Sequence, residues 1–347
     1  MYSTQASRKS SDGELLGKVA RLYYEYDLTH QEIAQVVHLS RVKVTRLLQQ
    51  ARDQGVVQIR VNSAASPYAD VESLLASELG LNEAVVVPYS EDPVKLRQAI
   101  ARAAAGYLQR ILRDEMVVAI SISRTIALIP KYVVDPRPIR ATFTAAVGGL
   151  SRGSAGMNPH GPIDQLALVF GGVAEHMPAP AIVGSALTAA ALLKEPAIRA
   201  TVDRAASADA ILLGLGSVTG SVQLVEEGVV TRSELAELIR HGAVGDMSAR
   251  FYDRSGRDID HELSRRIVGL NLDQIRAIPI RVVAAGGLEK VEALYAAVTS
   301  GLISVLVTDT KAALGLLARL RAERKSPTRR KTVTKAAAKT RLIAGAR

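Results

Sequence analysis

A chain of 347 residues with 48% hydrophobic side chains exceeds one ordinary domain and has the apolar material for a large core, which excludes a disordered protein and predicts two domains. The absence of cysteine excludes a disulfide framework, a thiolate metal site and a cysteine nucleophile, and fits a reducing, cytoplasmic setting. The formal net charge of +10 suggests a polyanionic partner, but the segment from Arg319 onward, with eleven Lys or Arg and one Glu, carries all of the excess.

Residues 1–12 are polar and Ser-rich, read as a disordered N-terminus, and lack the apolar centre of a signal peptide. From Gly13 to Tyr26, Leu15, Leu16, Val19, Ala20, Leu22 and Tyr23 follow helical spacing. Thr29 and Glu32 then form the S/T-x-x-E capping box that opens a helix carrying Ile33, Ala34 and Val37 on one face. After His38 and Leu39, Ser40 caps a second helix whose apolar residues are Val44, Leu47 and Leu48, leaving Arg41, Lys43, Thr45, Arg46, Gln49 and Gln50 outward. Gly55 supplies a left-handed stop, and VVQIRV alternates like a strand. Helix, turn, helix and strand are the order of a winged helix-turn-helix, expected over residues 13–62. Residues 1–62 hold nine basic and six acidic side chains, so the DNA-reading expectation rests on pattern more than on bulk charge. Arg41, Lys43, Thr45 and Arg46 are placed in the major groove, with Gln31 and the Thr29 end at the backbone and Ser40 among the DNA-binding residues, and a dimer would read a palindromic operator.

Residues 63–69, small and broken by Pro67, read as a linker. Residues 70–320 then alternate apolar strand runs with helical stretches, the pattern of an α/β, Rossmann-like open and mostly parallel sheet with helices on both faces. The strands are AVVVPY from Ala84, MVVAISI from Met116, IRATFTAAV from Ile139, AILLGLG from Ala210, IRVVAAG from Ile280 and ISVLVTD from Ile303. Helices are expected over Pro93 to Leu112, Arg124 to Tyr132, Pro162 to Ala174, Glu195 to Ala206, Ser233 to Arg240, Glu289 to Ser300 and Thr310 to Leu320. The longest apolar run, Ala181 to Leu193, is too short to span a bilayer, so no membrane partner is expected. Residues 321–347 read as a basic, disordered tail that could add phosphate contacts.

Ligands of such sheets bind beyond the C-terminal strand ends. Four of those ends are rich in glycine or small polar residues: Ser121 to Thr125, Val147 to Gly149, Leu213 to Ser217 and Ala284 to Lys290. Each alone could be turn chemistry. Together they predict a pocket for a small anionic ligand, with Arg124 and Lys290 as its cations and free amides beside them.

An enzyme is the rival reading. Asp246, Asp253, Asp258, Asp260, His261 and Glu262 cluster in sequence, and carboxylates near histidine can perform acid and base work. Asp258 to Glu262 read better as a solvated loop, with Asp246 and Asp253 the stronger pocket candidates. The remaining histidines show no HxxxH or HxH spacing, so no metal or other cofactor is expected. No Walker loop, nucleophile elbow or dinucleotide fingerprint is present.

With both halves laid out, the chain resembles the SorC family of sugar-responsive transcriptional regulators over residues 14–320. The resemblance is carried by the helix-turn-helix and by VVAISISRT, VGG, LGLGS, GDMSARFYDRSG, VVAAGGLEKVEAL and LISVLVTD in family order. It implies a non-enzymatic sensor domain related to sugar-phosphate isomerases and deaminases, a homodimer or homotetramer, and operator DNA as partner. Effector contacts are expected at Ser121, Ser123, Arg124, Thr125, Gly148, Gly149, Gly216, Asp246, Asp253 and Lys290. Where the family usually has glycine, Ala119 and Ser123 stand here, and Ile122 stands where a tryptophan is common. Ala146 and Val147 occupy the place of a lysine that forms a Schiff base in one branch, so non-covalent binding is expected. The rival to this reading is a sugar-phosphate isomerase or deaminase with an accessory DNA-binding module.

Overall fold

A computed structural model describes residues 4–57, 67–150, 158–219 and 223–325, which fall into two compact units, Met1–Ala65 and Ser66–Arg347. The first unit contains α1 (Thr4–Tyr24), α2 (His30–Val36) and α3 (Arg41–Asp53). Glu32 N–H donates to Thr29 Oγ1 at 3.3 Å while the Glu32 carboxylate accepts the Thr29 N–H at 2.8 Å, so the expected capping box forms. Ser40 Oγ accepts the Lys43 N–H at 3.3 Å at the start of α3. The turn between them is made by His38 in a left-handed conformation, φ 54°. Val19, Ile33, Val44 and Leu48 form the buried centre, which is where the 3.6-residue periodicity put them. α1 begins at Thr4 rather than Gly13; the stretch before Gly13 has no proline, and apolar periodicity does not register a polar helical turn. Most of the expected VVQIRV wing strand, most of the 63–69 linker and the tail after Lys325 lie outside the described residues.

The second unit begins with α4 (Ala69–Leu79), β1 (Glu83–Val87), α5 (Pro93–Ile111), β2 (Val117–Ile120), a 3-10 helix (Ile126–Tyr132) and β3 (Thr142–Ala145). It continues through α6 (His160–Phe170), β4 (Val173–Glu175), α7 (Ala186–Leu192), α8 (Pro196–Ala206), β5 (Ala210–Leu213), β6 (Gly216–Ser217), α9 (Gln223–Glu226) and α10 (Arg232–Arg240). It ends with β7 (Gly245–Met247), β8 (Arg250–Tyr252), α11 (Glu262–Arg265), α12 (Leu272–Ala277), β9 (Ile280–Ala284), α13 (Val291–Thr299), β10 (Val305–Asp309) and α14 (Thr310–Lys325). Seven strands pair in parallel in the order β1-β10-β9-β5-β2-β3-β4. Every residue of β5 and β10 is buried, so both faces of the sheet are covered, as runs such as AILL and VLVTD require.

All six expected strands are present, whereas β4, the sheet of β6 to β8 and the helices α4, α7, α9, α11 and α12 were not foreseen, and α6 ends at Phe170 rather than Ala174. β4 is a three-residue edge strand with Val173 exposed, too short for a periodicity to show. β6, β7 and β8 form a separate antiparallel sheet. The helix expected over Arg124 to Tyr132 is a 3-10 helix from Ile126, with Pro130 inside it. Proline lacks the N–H that an α-helical ladder needs. α14 runs on to Lys325, held by the Tyr295–Glu323 hydrogen bond and the Arg324–Glu78 ion pair at 2.5 Å.

Candidate functional site

β2, β5 and β9 lie side by side at the centre of the sheet, and a cavity of about 230 Å³ sits at their C-terminal ends. Ile122 to Thr125 follow β2, Gly214 to Ser217 follow β5, and Gly286, Glu289 and Lys290 follow β9; all line the cavity. Close approach explains the glycines. A Cβ on Gly214 would stand 2.4 Å from Ser123 Oγ, one on Gly216 would stand 2.0 Å from Asp246 Oδ1, and one on Gly286 would stand 2.3 Å from Asp309 Oδ2. Asp309 in turn anchors the β9 loop, accepting the Gly287 N–H at 2.6 Å.

The cavity brings three cations together. Arg97 from the first turns of α5 faces it with Arg124 and Lys290, a contribution the sequence reading missed because Arg97 sits in an ordinary amphipathic helix. Arg124 is held by Glu227 at 2.5 Å and by Glu226 of α9 at 3.4 Å. Asp246, on β7, is 9% exposed, and burial raises its carboxyl to about pKa 6 against the pull of Lys290. Burial likewise lowers the Lys290 ammonium, which Glu289 and Asp246 partly restore. Hydroxyls complete the lining: Ser123 Oγ accepts the Thr125 N–H at 3.1 Å, and Ser217 and Thr219 share a hydrogen bond of 2.8 Å. Ser248 joins them from the β7–β8 turn, where it and Ala249 adopt φ of 50° and 62°. Arg97, Arg124 and Lys290 share the lining with the carboxylates Glu226, Asp246 and Glu289, and with the hydroxyls among them they suit a small, polar, anionic ligand.

Of the expected effector residues, Ser123, Arg124, Thr125, Gly216, Asp246 and Lys290 line this cavity. Four others do not. Ser121 is 1% exposed beneath it and hydrogen-bonded to Ser248 at 2.5 Å, so it supports the wall. Gly148 and Gly149 pair with a neighbouring chain segment: Gly149 N–H donates to Ala179 O at 2.9 Å, and a Cβ on Gly148 would stand 2.5 Å from that oxygen. Asp253 closes its own turn, accepting the N–H groups of Ser255 and Arg257 at 2.7 and 3.1 Å and pairing with the Arg257 guanidinium at 3.0 Å. Burial would raise its carboxyl, and those bonds hold it below the usual range instead. Of the other candidates in that stretch, Asp260 pairs with Arg265 at 2.7 Å, and His261 with Glu237 at 3.1 Å. Among the described residues no group of three histidines or carboxylates is placed to hold a metal ion, and no helix is long and apolar enough to cross a membrane.

In the first unit, Thr29, Gln31, Ser40, Arg41, Lys43, Thr45 and Arg46 are all exposed. The same surface carries Val42, 64% exposed, which apolar patterning would have assigned to a core.

The comparisons with known proteins bear on both units. The family model described as "Putative sugar-binding domain" matches residues 64–318. The chain is 30% identical over 316 residues to the transcriptional regulator LsrR of Enterobacter sp., covering 89% of this chain and 94% of that one. It is 29% identical over 311 residues to the erythritol catabolism regulatory protein EryD of Brucella abortus, covering 88% and 97%. The sugar-binding domain of a transcriptional repressor from Vibrio fischeri superposes with a TM-score of 0.68 at 26% identity, over 73% of this chain and 99% of that one. Full-length sorbitol operon regulator SorC from Klebsiella pneumoniae gives 0.68 at 24% identity over 88% and 99%, a likeness of fold that extends to both units.

Proposed function

The chain belongs to the SorC family of sugar-binding transcriptional regulators, and from that premise we propose that the cavity at the ends of β2, β5 and β9 takes a sugar phosphate whose occupancy governs operator binding by the first unit. The protein is a DNA-binding transcriptional regulator under the control of a carbohydrate effector. The observation that carries the finer reading is the grouping of Arg97, Arg124 and Lys290 around one small cavity rimmed by hydroxyls. The phosphate lies against Lys290 and Arg124, while Ser123, Thr125 and Asp246 meet the sugar hydroxyls. A phosphate against half-buried Lys290 would supply the counter-charge that Asp246, itself pushed toward neutrality, supplies only in part. Arg41, Lys43, Thr45 and Arg46 read the major groove, with Thr29, Gln31 and Ser40 at the backbone, and an oligomer of the chain presents paired readers to a palindromic site. The protein works in the bacterial cytoplasm as a sensor and does not turn its ligand over.

Calorimetric titration of the full chain with a panel of sugars and sugar phosphates tests this. Lys290→Ala and Arg124→Ala should each weaken the sugar phosphate about tenfold or more, since charge-assisted hydrogen bonds are at stake, and should leave the matching unphosphorylated sugar much less affected. Wild-type affinity for the phosphate in both variants would remove the assignment.

A further inference from the structure

α3 presents a surface that its charged residues do not account for. Val42 is 64% exposed, while Val44, two residues on, is fully buried in the centre of the unit. A β-branched residue loses rotamer freedom in a helix, and at an exposed site it recovers nothing from packing. Helical geometry places Thr45, Arg46 and Gln49 on the same face as Val42, at i+3, i+4 and i+7. The hydroxyl of Thr45 is already committed, donating to the Arg41 carbonyl at 3.1 Å with His30 Nδ1 at 3.4 Å. Its methyl is therefore the part left without a hydrogen-bonding role. Gln49 is tied to Asp53 at 2.9 Å and to Arg52 at 2.6 Å. The stripe thus offers apolar groups at Val42 and Thr45 beside the cation of Arg46, within the first two turns of the helix, where residues reach base edges.

We infer that Val42 is a specificity-determining residue that packs on the C5 methyl group of a thymine in each operator half-site. Among base edges in the major groove, that methyl is the apolar feature, and an aliphatic side chain recognises it without hydrogen bonds. The inference rests on the reading of α3 as the groove-entering helix and adds to it a base identity. Thr45 extends the apolar strip, and Arg46 supplies the polar contact beside it.

Selection of randomised duplexes by the full-length protein gives the preferred site, after which each thymine is replaced singly by deoxyuridine, which removes the methyl and keeps the pairing. At one position per half-site the wild type should lose about fourfold in affinity, the worth of one buried methyl group. Val42→Ala, which loses the contact in both half-sites, should bind the thymine site about 16-fold more weakly and be indifferent to deoxyuridine there. Thermal melting of Val42→Ala should match the wild type, since the side chain is exposed. A wild type indifferent to every replacement, or a Val42→Ala protein as sensitive as the wild type at every thymine, overturns the assignment. A selection that returns no preferred sequence overturns the reading of α3 itself, and the role of Val42 with it.

Discussion

Asp246 concentrates the physical tension of the effector cavity. Its carboxyl is raised to about 6 by burial, with Lys290 opposing the shift. Because that value lies above the unfolded chain's, the charged form costs stability at pH 7, and the cost fades as pH falls through 6 toward the ordinary carboxylate range. Asp246→Asn should therefore stabilise the ligand-free protein by roughly 3 kcal/mol above pH 6, and the gain should shrink steadily between pH 6 and pH 4. Thermal unfolding across that range measures it; a gain that grows toward low pH would contradict the burial argument. The cavity residues were partly legible from sequence for a simple reason. Gly216 and the SISRT and AAGGLEK segments signal close backbone approach and free amides, whereas Arg97, one arginine in an amphipathic helix, carries no local mark. Gly148 shows the converse, since glycine registers crowding equally well whether the crowding group is a ligand or the Ala179 carbonyl.

The elements that sequence revealed are those whose cause is local. Thr29 with Glu32, and Ser40 before Arg41, satisfy helix N-termini with side chains three residues apart, so the spacing alone gives both starts. The parallel strands are equally plain, because burial on both faces demands unbroken apolar runs. The β7–β8 hairpin was hidden because its turn is made by Ser248 and Ala249, both at positive φ, where Asn or Gly would have announced it. An L-residue in that conformation costs about 1 kcal/mol, so the turn is held by its surroundings, including the Ser121–Ser248 hydrogen bond. Ala249→Gly should accordingly stabilise the protein by about 0.5 to 1 kcal/mol, read as a rise in denaturation midpoint at unchanged slope. Destabilisation would mean that the Ala249 methyl, 1% exposed, contributes more through packing than its backbone costs.

At the scale of the molecule, the division of labour follows from what each unit can bury. The first unit has a small centre built on Val19, Ile33, Val44 and Leu48, enough to fix a capped helix pair. The second has an extended core around a seven-stranded sheet, and with it the rigidity to build a cavity at strand ends. The proposed control is a coupling free energy between those two sites, and coupling of this kind typically changes an affinity about 5- to 150-fold. The direct test is anisotropy titration of the selected operator with full-length protein, with and without a saturating sugar phosphate shown by calorimetry to bind. Wild type should change its operator affinity on adding the ligand, and Lys290→Ala should bind the operator normally but need about tenfold or more ligand for the same change. Operator affinity that stays constant while the ligand occupies the wild-type cavity would contradict the account.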